Sequence, residues 1–342
     1  MTAAQPAIEK DYAEPENQTG AALTSHPVRR GRAPIPGRVR HSLIPTTRSG
    51  YLIAFWLALI HVLAAIGLAL FPWPGWRIFL AAATLSFLGG AAVSVCFHRA
   101  LAHRSVTLHP VMLQIFTFLA MFNGSSAPGA WIPTHRYHHA TTDTHDDPSS
   151  PVWGGLFWAH LGWIYQAPPP PAKYLFESER KYFQYWSRLQ IPLLAFALLI
   201  GAPFGWAAFF WLGSIRLAFS LHATALVNSV CHTRPGAPAG TDASRNVAWV
   251  ALLQFTIGES WHQNHHALPG CAQLGWNWRQ PDTGFLNVAI SADTPLRISS
   301  GAPWADINVC APHAEQLKPQ ALLLSRRVSA SLQQVQDSGP LL

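Results

Sequence analysis

Charged residues are scarce in this chain of 342 residues, at 11% against roughly 25% in an ordinary soluble protein. Hydrophobic residues make up 49% of the sequence. So few charges cannot cover a soluble surface, and we therefore expect much of the surface to face lipid. The formal net charge of +7 suits contact with anionic lipid headgroups, whereas nucleic-acid binding would need basic patches that the sequence lacks.

Closely spaced cysteines are also missing, and we expect no cleavable leader. The four cysteines include no C-x-x-C pair, which argues against a thiolate zinc site. Residues 1–50 are polar and rich in proline, unlike a signal peptide. We interpret residues 1–50 as a flexible, Arg-rich cytoplasmic arm, because several arginines lie near its membrane end.

Long apolar runs are abundant, and they come in two pairs joined by uncharged turns. A bilayer-spanning helix needs about 20 apolar residues, and the positive-inside rule places the Arg-rich arm in the cytoplasm. We predict an all-α integral membrane protein, with both termini and a helical cap in the cytoplasm, in a bacterial inner membrane. Residues 286–342 would form a cytoplasmic tail, with a helix around 314–334. The four transmembrane helices, in two hairpins, are expected at about 51–71, 76–97, 189–202 and 205–231.

The 17 histidines are concentrated in three strings. One is H-x-x-x-x-H at His98–His103, and the others are H-x-x-H-H at His135–His139 and His262–His266. Helix positions i, i+3 and i+4 share a face, so each H-x-x-H-H string can direct three imidazoles into one cavity. Adjacent histidines on that face diverge by about 100°, which favours two metal ions shared between strings. The spacing of His98 and His103 suits the end of a helix.

Neutral imidazole suits iron, zinc, copper and nickel, and such ligands beside apolar spans indicate oxygen chemistry on a lipid. Three further motifs accompany the strings: Asn228-Ser-Val-Cys-His232, Asp143-Thr-His145-Asp-Asp-Pro148 and His160-Leu-Gly-Trp163. In their order along the chain, the strings and these motifs together resemble the membrane fatty-acyl desaturases of the stearoyl-CoA desaturase type. The resemblance covers roughly residues 51–282, and we assign the desaturase domain to residues 51–285.

The resemblance implies an oxygen-dependent enzyme that uses two iron ions to insert a cis double bond into an unactivated acyl chain. Asn228 would reach one iron through a water molecule. Glu259 and Asp147, next to ligand strings, can accept hydrogen bonds from ligand N–H groups and so fix the tautomers of the ligands. One iron would be held by His98, His103, His135, His139 and His265, and the other by His138, His232, His262 and His266.

Two features of family members are missing. Residues 123–134 lack the acidic and basic side chains of members that act on coenzyme A thioesters, so coenzyme A, a carrier protein and a lipid ester all stay open as acyl carriers. No His-Pro-Gly-Gly haem signature occurs, so electrons must come from a separate ferredoxin, cytochrome or reductase. A basic stretch is either a solvated face or a dock for an acidic electron donor; it contains Lys173, Arg180, Lys181 and Arg188.

Two other functions stay open. An acyl hydroxylase, acetylenase or alkane monooxygenase could use the same histidine strings. A non-catalytic membrane metal-binding or transport protein is the second alternative, although a transporter should place its ligands near the middle of the bilayer. We interpret His61 and His222, within apolar runs, as core histidines with satisfied hydrogen bonds. His145 and His160 are expected to be hydrogen-bonding or structural residues.

Overall fold

The computed structural model describes residues 44–291, so the predicted arm before residue 44 and the predicted tail after residue 291 lie outside the described residues. Within residues 44–291 the regular structure consists of helices joined by loops, with no extended strand and an isolated antiparallel bridge between Asn246 and Trp261, which confirms the all-α prediction for this part. The helices are α1 (Arg48–Leu70), α2 (Trp76–Ala92), α3 (Pro110–Phe122), α4 (Pro128–Thr141), α5 (Pro151–Phe157), α6 (Trp163–Gln166), α7 (Glu177–Arg188), α8 (Gln190–Leu199), α9 (Trp206–Phe210), α10 (Arg216–Ser229), α11 (Ala248–Leu253), α12 (His262–Ala267) and α13 (Thr283–Ser291). Short 3-10 turns occupy Ala172–Tyr174 and Ala202–Phe204, and π-helical segments occupy Val93–Ala102, Trp158–Gly162 and Trp211–Ile215.

Three helical stretches are long and apolar enough to cross a membrane. α1 has 23 residues, Trp76–Ala102 has 27 and Trp206–Ser229 has 24, against the roughly 20 residues that a span requires. Trp76–Ala102 joins α2 to a π-helical segment, and Trp206–Ser229 consists of α9, a π-helical segment and α10. Leu52 and Phe55 on α1 are more than half exposed, as expected of side chains that face lipid.

The helix over the third predicted span, 189–202, is shorter than expected. α8 has only 10 residues, which is too few to cross a bilayer. α7 precedes it, and the two helices are bent by 44° relative to each other. Pro192 lies in the first turn of α8, where its missing N–H is tolerated, so a new helix begins here and α7 does not continue. The described part therefore has three helical stretches long and apolar enough to span a membrane, or up to four if the bent pair counts as one.

Close contacts hold the spanning helices together. A Cβ atom on Gly67 of α1 would lie 2.5 Å from the Cβ of Phe210, so only glycine allows α1 to approach α9 at this point. Arg216 is 1% exposed inside the third spanning stretch. Its guanidinium donates to the Leu212 carbonyl at 2.7 Å and to Asn123 Oδ1 at 3.1 Å. These bonds satisfy the charged group within the protein.

The π-helical segment Val93–Ala102 is the buried element around which the polar part of the molecule is arranged. Its residues Val95 and Phe97 are fully buried, and the segment contacts α3, α4 and α13. Val288 of α13 is part of the same hydrophobic core. Residue 285, the expected end of the desaturase domain, lies within α13, which packs against this core.

Candidate metal centre

The first histidine string lies on the π-helical segment at the end of the second spanning stretch. In a π-helix each N–H bonds to the carbonyl five residues earlier, and the His103 amide donates to the His98 carbonyl at 3.0 Å. The segment ends at Ala102, and His103 is its cap residue. The five-residue spacing therefore places the two rings on one side, with centroids 4.9 Å apart. The sequence indicated the helix end but not its π-helical form.

The two H-x-x-H-H strings lie on α4 and α12, as the helical spacing predicted. Within α4 the rings of His135 and His139 have centroids 4.6 Å apart, and within α12 those of His262 and His266 are 4.5 Å apart. His232 follows α10 after a turn and joins them.

The nine histidines form two groups. Within each group the ligand nitrogens lie within 4.8 Å of one another. His265 Nε2 is 2.9 Å from both His98 Nε2 and His139 Nε2, and His262 Nε2 is 2.9 Å from His232 Nε2. Adjacent ligands bound at about 2.1 Å to one ion would lie about 3 Å apart, so these spacings suit a shared metal. The groups are His98, His103, His135, His139 and His265, and His138, His232, His262 and His266, the same two sets that the resemblance implies.

The protonation states of these rings suit metal binding. Burial, together with repulsion from neighbouring imidazoles, lowers the pKa of His135, His139 and His265 well below the usual histidine value. The rings are then neutral near pH 7, the form that offers a lone pair to a metal. His138 Nε2 is buried and has no hydrogen-bond partner within residues 44–291. A buried polar atom without a partner is unfavourable, and a metal ion at this point would satisfy it.

Carboxylates contact the outward nitrogens of two of these histidines. Glu259 Oε2 lies 2.6 Å from His98 Nδ1, and both carboxylate oxygens of Asp147 lie 3.0 Å from His138 Nδ1. Burial alone lowers the pKa of His138, but the charge and hydrogen bond of Asp147 outweigh that effect and the pKa is raised. An Nδ1–H that donates to a carboxylate leaves the Nε2 lone pair directed at the group, which orients the ligand.

Asp143 is a third such carboxylate, and the sequence analysis gave it no role. Its Oδ2 lies 2.8 Å from His232 Nδ1 and accepts from the Ala243 amide, also at 2.8 Å, while Ser150 donates to Oδ1. Asp143 is fully buried. The signal available was its place in the Asp143–Pro148 motif, but local spacing does not show that it reaches a histidine 89 residues away.

Buried Arg99, next to His98 in the chain, lies near the Glu259 oxygen that does not contact His98. Its Nη1 lies 3.6 Å from Glu259 Oε1 and its Nη2 lies 2.8 Å from Asp282 Oδ1. Ser94 hydrogen-bonds to both Arg99 and Glu259. These contacts connect α13 and the loop before α12 to the segment that carries His98.

Other predicted residues lie outside the two groups. Asn228 is half-buried on α10, and its amide makes no hydrogen bond with the part of the chain that the structure describes. The His145 side chain is 72% exposed. His222 contacts both His61 and His160. Exposed residues of the basic stretch are Lys173, Arg180, Lys181 and Arg188.

Comparison with known proteins gives the family. The chain matches the fatty acid desaturase model over residues 73–277, a range that contains all three histidine strings. It is 35% identical over 249 residues to Delta-9 acyl-lipid desaturase 1 of Arabidopsis thaliana, covering 69% of this chain and 78% of that protein. It is 33% identical to an acyl-CoA C20 Delta5-desaturase of Anemone leveillei, covering 68% and 75%. It is 30% identical to an sn-1 stearoyl-lipid 9-desaturase of Synechocystis sp., covering 71% and 78%.

These matches cover most of the chain, and the two histidine groups are compatible with a di-iron site. The apolar helices agree with a membrane location. The protein is an oxidoreductase that desaturates fatty-acyl chains, and the chain belongs to the fatty acid desaturase family.

Proposed function

We propose that this protein uses O₂ and two iron ions to insert a cis double bond into a fatty-acyl chain. One iron would be held by the group of five histidines that includes His98 and His265, and the other by the group of four that includes His138. Asn228 would approach the second iron through a water molecule. The observation that carries the proposal is the unpartnered, buried Nε2 of His138 amid three other imidazoles.

The residues of the chain hold and orient the metal ligands. Glu259, Asp147 and Asp143 keep Nδ1 protonated on three histidines, and burial keeps water away from the rings. Bound iron would supply the oxidising power that an unactivated C–H bond requires. The protein positions the acyl chain and excludes water, so the place of the double bond depends on how far the chain extends past the site.

For the topology we propose four spans in two hairpins, with α7 and α8 together forming the third span. The termini and both histidine groups would face the cytoplasm of a bacterium, beneath a helical cap. The turn between α1 and α2, in which Gly75 has a φ of 86°, carries no charge. The absence of basic residues in this turn supports an outer location for it. Residues 1–50 would be the cytoplasmic arm, and residues after α13 the cytoplasmic tail.

We propose a lipid ester as the acyl carrier. Two of the relatives are named for acyl-lipid substrates, and residues 123–134 carry no charge before His135. Coenzyme A and a carrier protein are the alternatives, since another relative is named for acyl-CoA. Electrons would come from a separate ferredoxin, cytochrome or reductase. The purified enzyme can be supplied separately with phospholipid, acyl-CoA or acylated carrier protein. The carrier whose acyl chains gain a double bond is the substrate.

The reaction outcome is tested by product analysis. Cells that express the protein should accumulate acyl chains with one added cis double bond, located by mass spectrometry, and the purified protein should contain about two irons. Hydroxylated chains without new unsaturation would make it a hydroxylase. Protein with zinc, no iron and no oxygen-dependent product would make it a metal-binding protein instead.

Replacing Asp143 by Asn should weaken metal binding. The amide cannot hold the His232 Nδ1–H as a carboxylate does, and loss of such outer contacts typically lowers metal affinity or activity about 10–100-fold. The measurement is iron per chain after dialysis against a graded series of chelator concentrations. Asp146→Asn is the matched control, because Asp146 is 74% exposed in the same loop. Equal iron retention by the two variants would refute a role for Asp143.

A further inference from the structure

Helix α11 (Ala248–Leu253) lies outside the spanning stretches, yet it carries no polar side chain. On one face, Val250 packs with Cys231, and Ala251 packs with Trp261. A helix with one face on the core and the other in water carries polar residues on the outer face. Because α11 is apolar all round, its outer face suits an apolar environment.

The outer face of α11 presents three bulky apolar side chains. Trp249, Leu252 and Leu253 have the i, i+3, i+4 spacing that places residues on one side of a helix. All three are exposed, and Leu252 is 74% exposed. Exposed apolar side chains that lie together often mark a contact with a membrane or with another protein. These three residues are called the α11 patch below.

Contacts with α10 and the residues after it show the direction in which α11 runs. Before α11, the Arg245 amide donates to the Cys231 carbonyl at 2.8 Å. After α11, Gln254 Nε2 donates to the Ala223 carbonyl, also at 2.8 Å. As the chain advances through α11, its partners therefore move back along α10. The helix runs beside the last turns of α10 towards the middle of the third spanning stretch.

The length of this spanning stretch gives the depth of the contacts. Trp206–Ser229 begins at an exposed Trp, a residue type that is enriched at membrane interfaces. At ~1.5 Å per residue, Phe219 lies ~20 Å and Ala223 ~26 Å along the helix from Trp206. Both values are below the ~30 Å thickness of the hydrocarbon core, and any helix tilt reduces the depth further. Phe255, whose ring centroid is 5.9 Å from that of Phe219, therefore lies at membrane depth.

The second spanning stretch gives the same depth independently. The Phe255 ring also contacts Phe87, with centroids 6.1 Å apart. Phe87 lies in Trp76–Ala102, which also begins at an exposed Trp. At ~1.5 Å per residue it is ~17 Å along the helix from that Trp, again less than the ~30 Å of the hydrocarbon core. Two spanning stretches thus agree that the chain just after α11 is at membrane depth.

We propose that α11 dips into the membrane leaflet on the histidine side, where the α11 patch contacts lipid acyl chains. Leu252 and Leu253, next to Gln254, lie among the acyl chains. Trp249, one turn earlier, lies at the interface, where Trp is enriched. A short turn, 254–258, joins α11 to Glu259 and α12, so this contact holds the third histidine string close to the bilayer surface. The proposal concerns a membrane contact and goes beyond the proposed reaction.

The direct test is photo-crosslinking of the full chain in nanodiscs of phosphatidylcholine and phosphatidylglycerol. The photoreactive residue p-benzoylphenylalanine in place of Leu252 should form adducts with lipid acyl chains, identified by mass spectrometry. The matched control is the same residue in place of His145, which is largely exposed. His145 lies two residues after Asp143, which contacts His232 beyond the end of α10.

We expect at least ~10-fold more lipid adduct at position 252 than at position 145, because acyl chains are confined to the hydrocarbon core. Equal lipid yields at the two positions would overturn the proposal. Adducts of position 252 with another part of this chain or with a second protein, in place of lipid, would also overturn it, because the α11 patch would then be covered by protein.

A charge substitution gives a second test. At an exposed position in water, replacing Leu by Glu has little effect on a helix, whereas a carboxylate among acyl chains is unfavourable. In nanodiscs, Leu252→Glu should therefore raise the hydrogen-exchange rates of the α11 amides by ~10-fold or more, as local opening becomes easier. Leu252→Met is the matched control and should exchange as the wild type does.

Equal exchange rates in Leu252→Glu and Leu252→Met would show that the α11 patch faces water, contrary to the proposal. Neither the adducts nor the exchange rates depend on turnover or on the identity of the metal. A failure of this inference is therefore distinguishable from a failure of the proposed function.

Discussion

Replacing His265 by Ala is expected to abolish desaturation, with a loss of more than ~100-fold, beyond the effect of changing an outer contact. His265 Nε2 lies 2.9 Å from the nitrogens of both His98 and His139, so it occupies the middle of the five-histidine group. Without it, the iron proposed for this group would lose one of its five ligands. The measurements are iron per chain and the fatty-acid profile of expressing cells, with double-bond positions.

The matched control for this variant is His145→Ala, because His145 is largely exposed and belongs to neither group. It should keep both irons and the wild-type profile. The His265 variant should still insert into the membrane, since α12 is a short helix outside the spanning stretches. A His265 variant with two irons and a normal profile would refute the proposed ligand set.

Replacing Arg99 by Met should lower the free energy of unfolding by ~3–5 kcal/mol, the usual effect of removing one partner of a buried ion pair. Arg99 is 1% exposed and donates to Asp282 Oδ1 at 2.8 Å and to the Ala272 carbonyl at 2.7 Å. Methionine fills much of the volume but leaves the Asp282 carboxylate buried without a counter-charge. Thermal unfolding of the detergent-solubilised protein, followed by circular dichroism, measures the loss.

Two comparisons sharpen this prediction. Arg180→Met removes an exposed pair with Glu177, whose side chain is 82% exposed, and should change stability by less than ~1 kcal/mol. Adding Asp282→Asn to Arg99→Met should recover part of the loss, because the uncompensated charge is then removed. If Arg99→Met were as stable as Arg180→Met, the buried network would not be structural.

The two histidine groups show which parts of the site can be predicted from the spacing of residues along the chain. The i, i+3, i+4 pattern of α4 and α12 depends only on helical geometry, so the shared face of His135, His138 and His139 was predictable. Their division between the two groups followed from the 100° divergence of neighbours together with the family resemblance. The π-helical form of Val93–Ala102 was not predictable, because a five-residue spacing is also compatible with a helix end.

The helix over one predicted span is shorter than its apolar run for a related reason. Hydropathy identified the apolar run at 189–202, but it does not report where a helix bends. The break at Leu189 before Pro192, and the 44° angle between α7 and α8, depend on how these helices pack. The length of the apolar run therefore overstated the length of α8.

By itself the sequence determined the helical class, the apolar helices, the three histidine strings and the family, because each depends on residue type, local period or ordered motifs. Only the tertiary structure decided which side chains hydrogen-bond to the histidines of the two groups, and which of the other histidines contact each other. Asp143 reaches His232, Arg99 reaches Asp282, and the row of His61, His222 and His160 forms from three distant segments. Such contacts join residues tens to hundreds of positions apart, and helix packing, not local spacing, brings their side chains together.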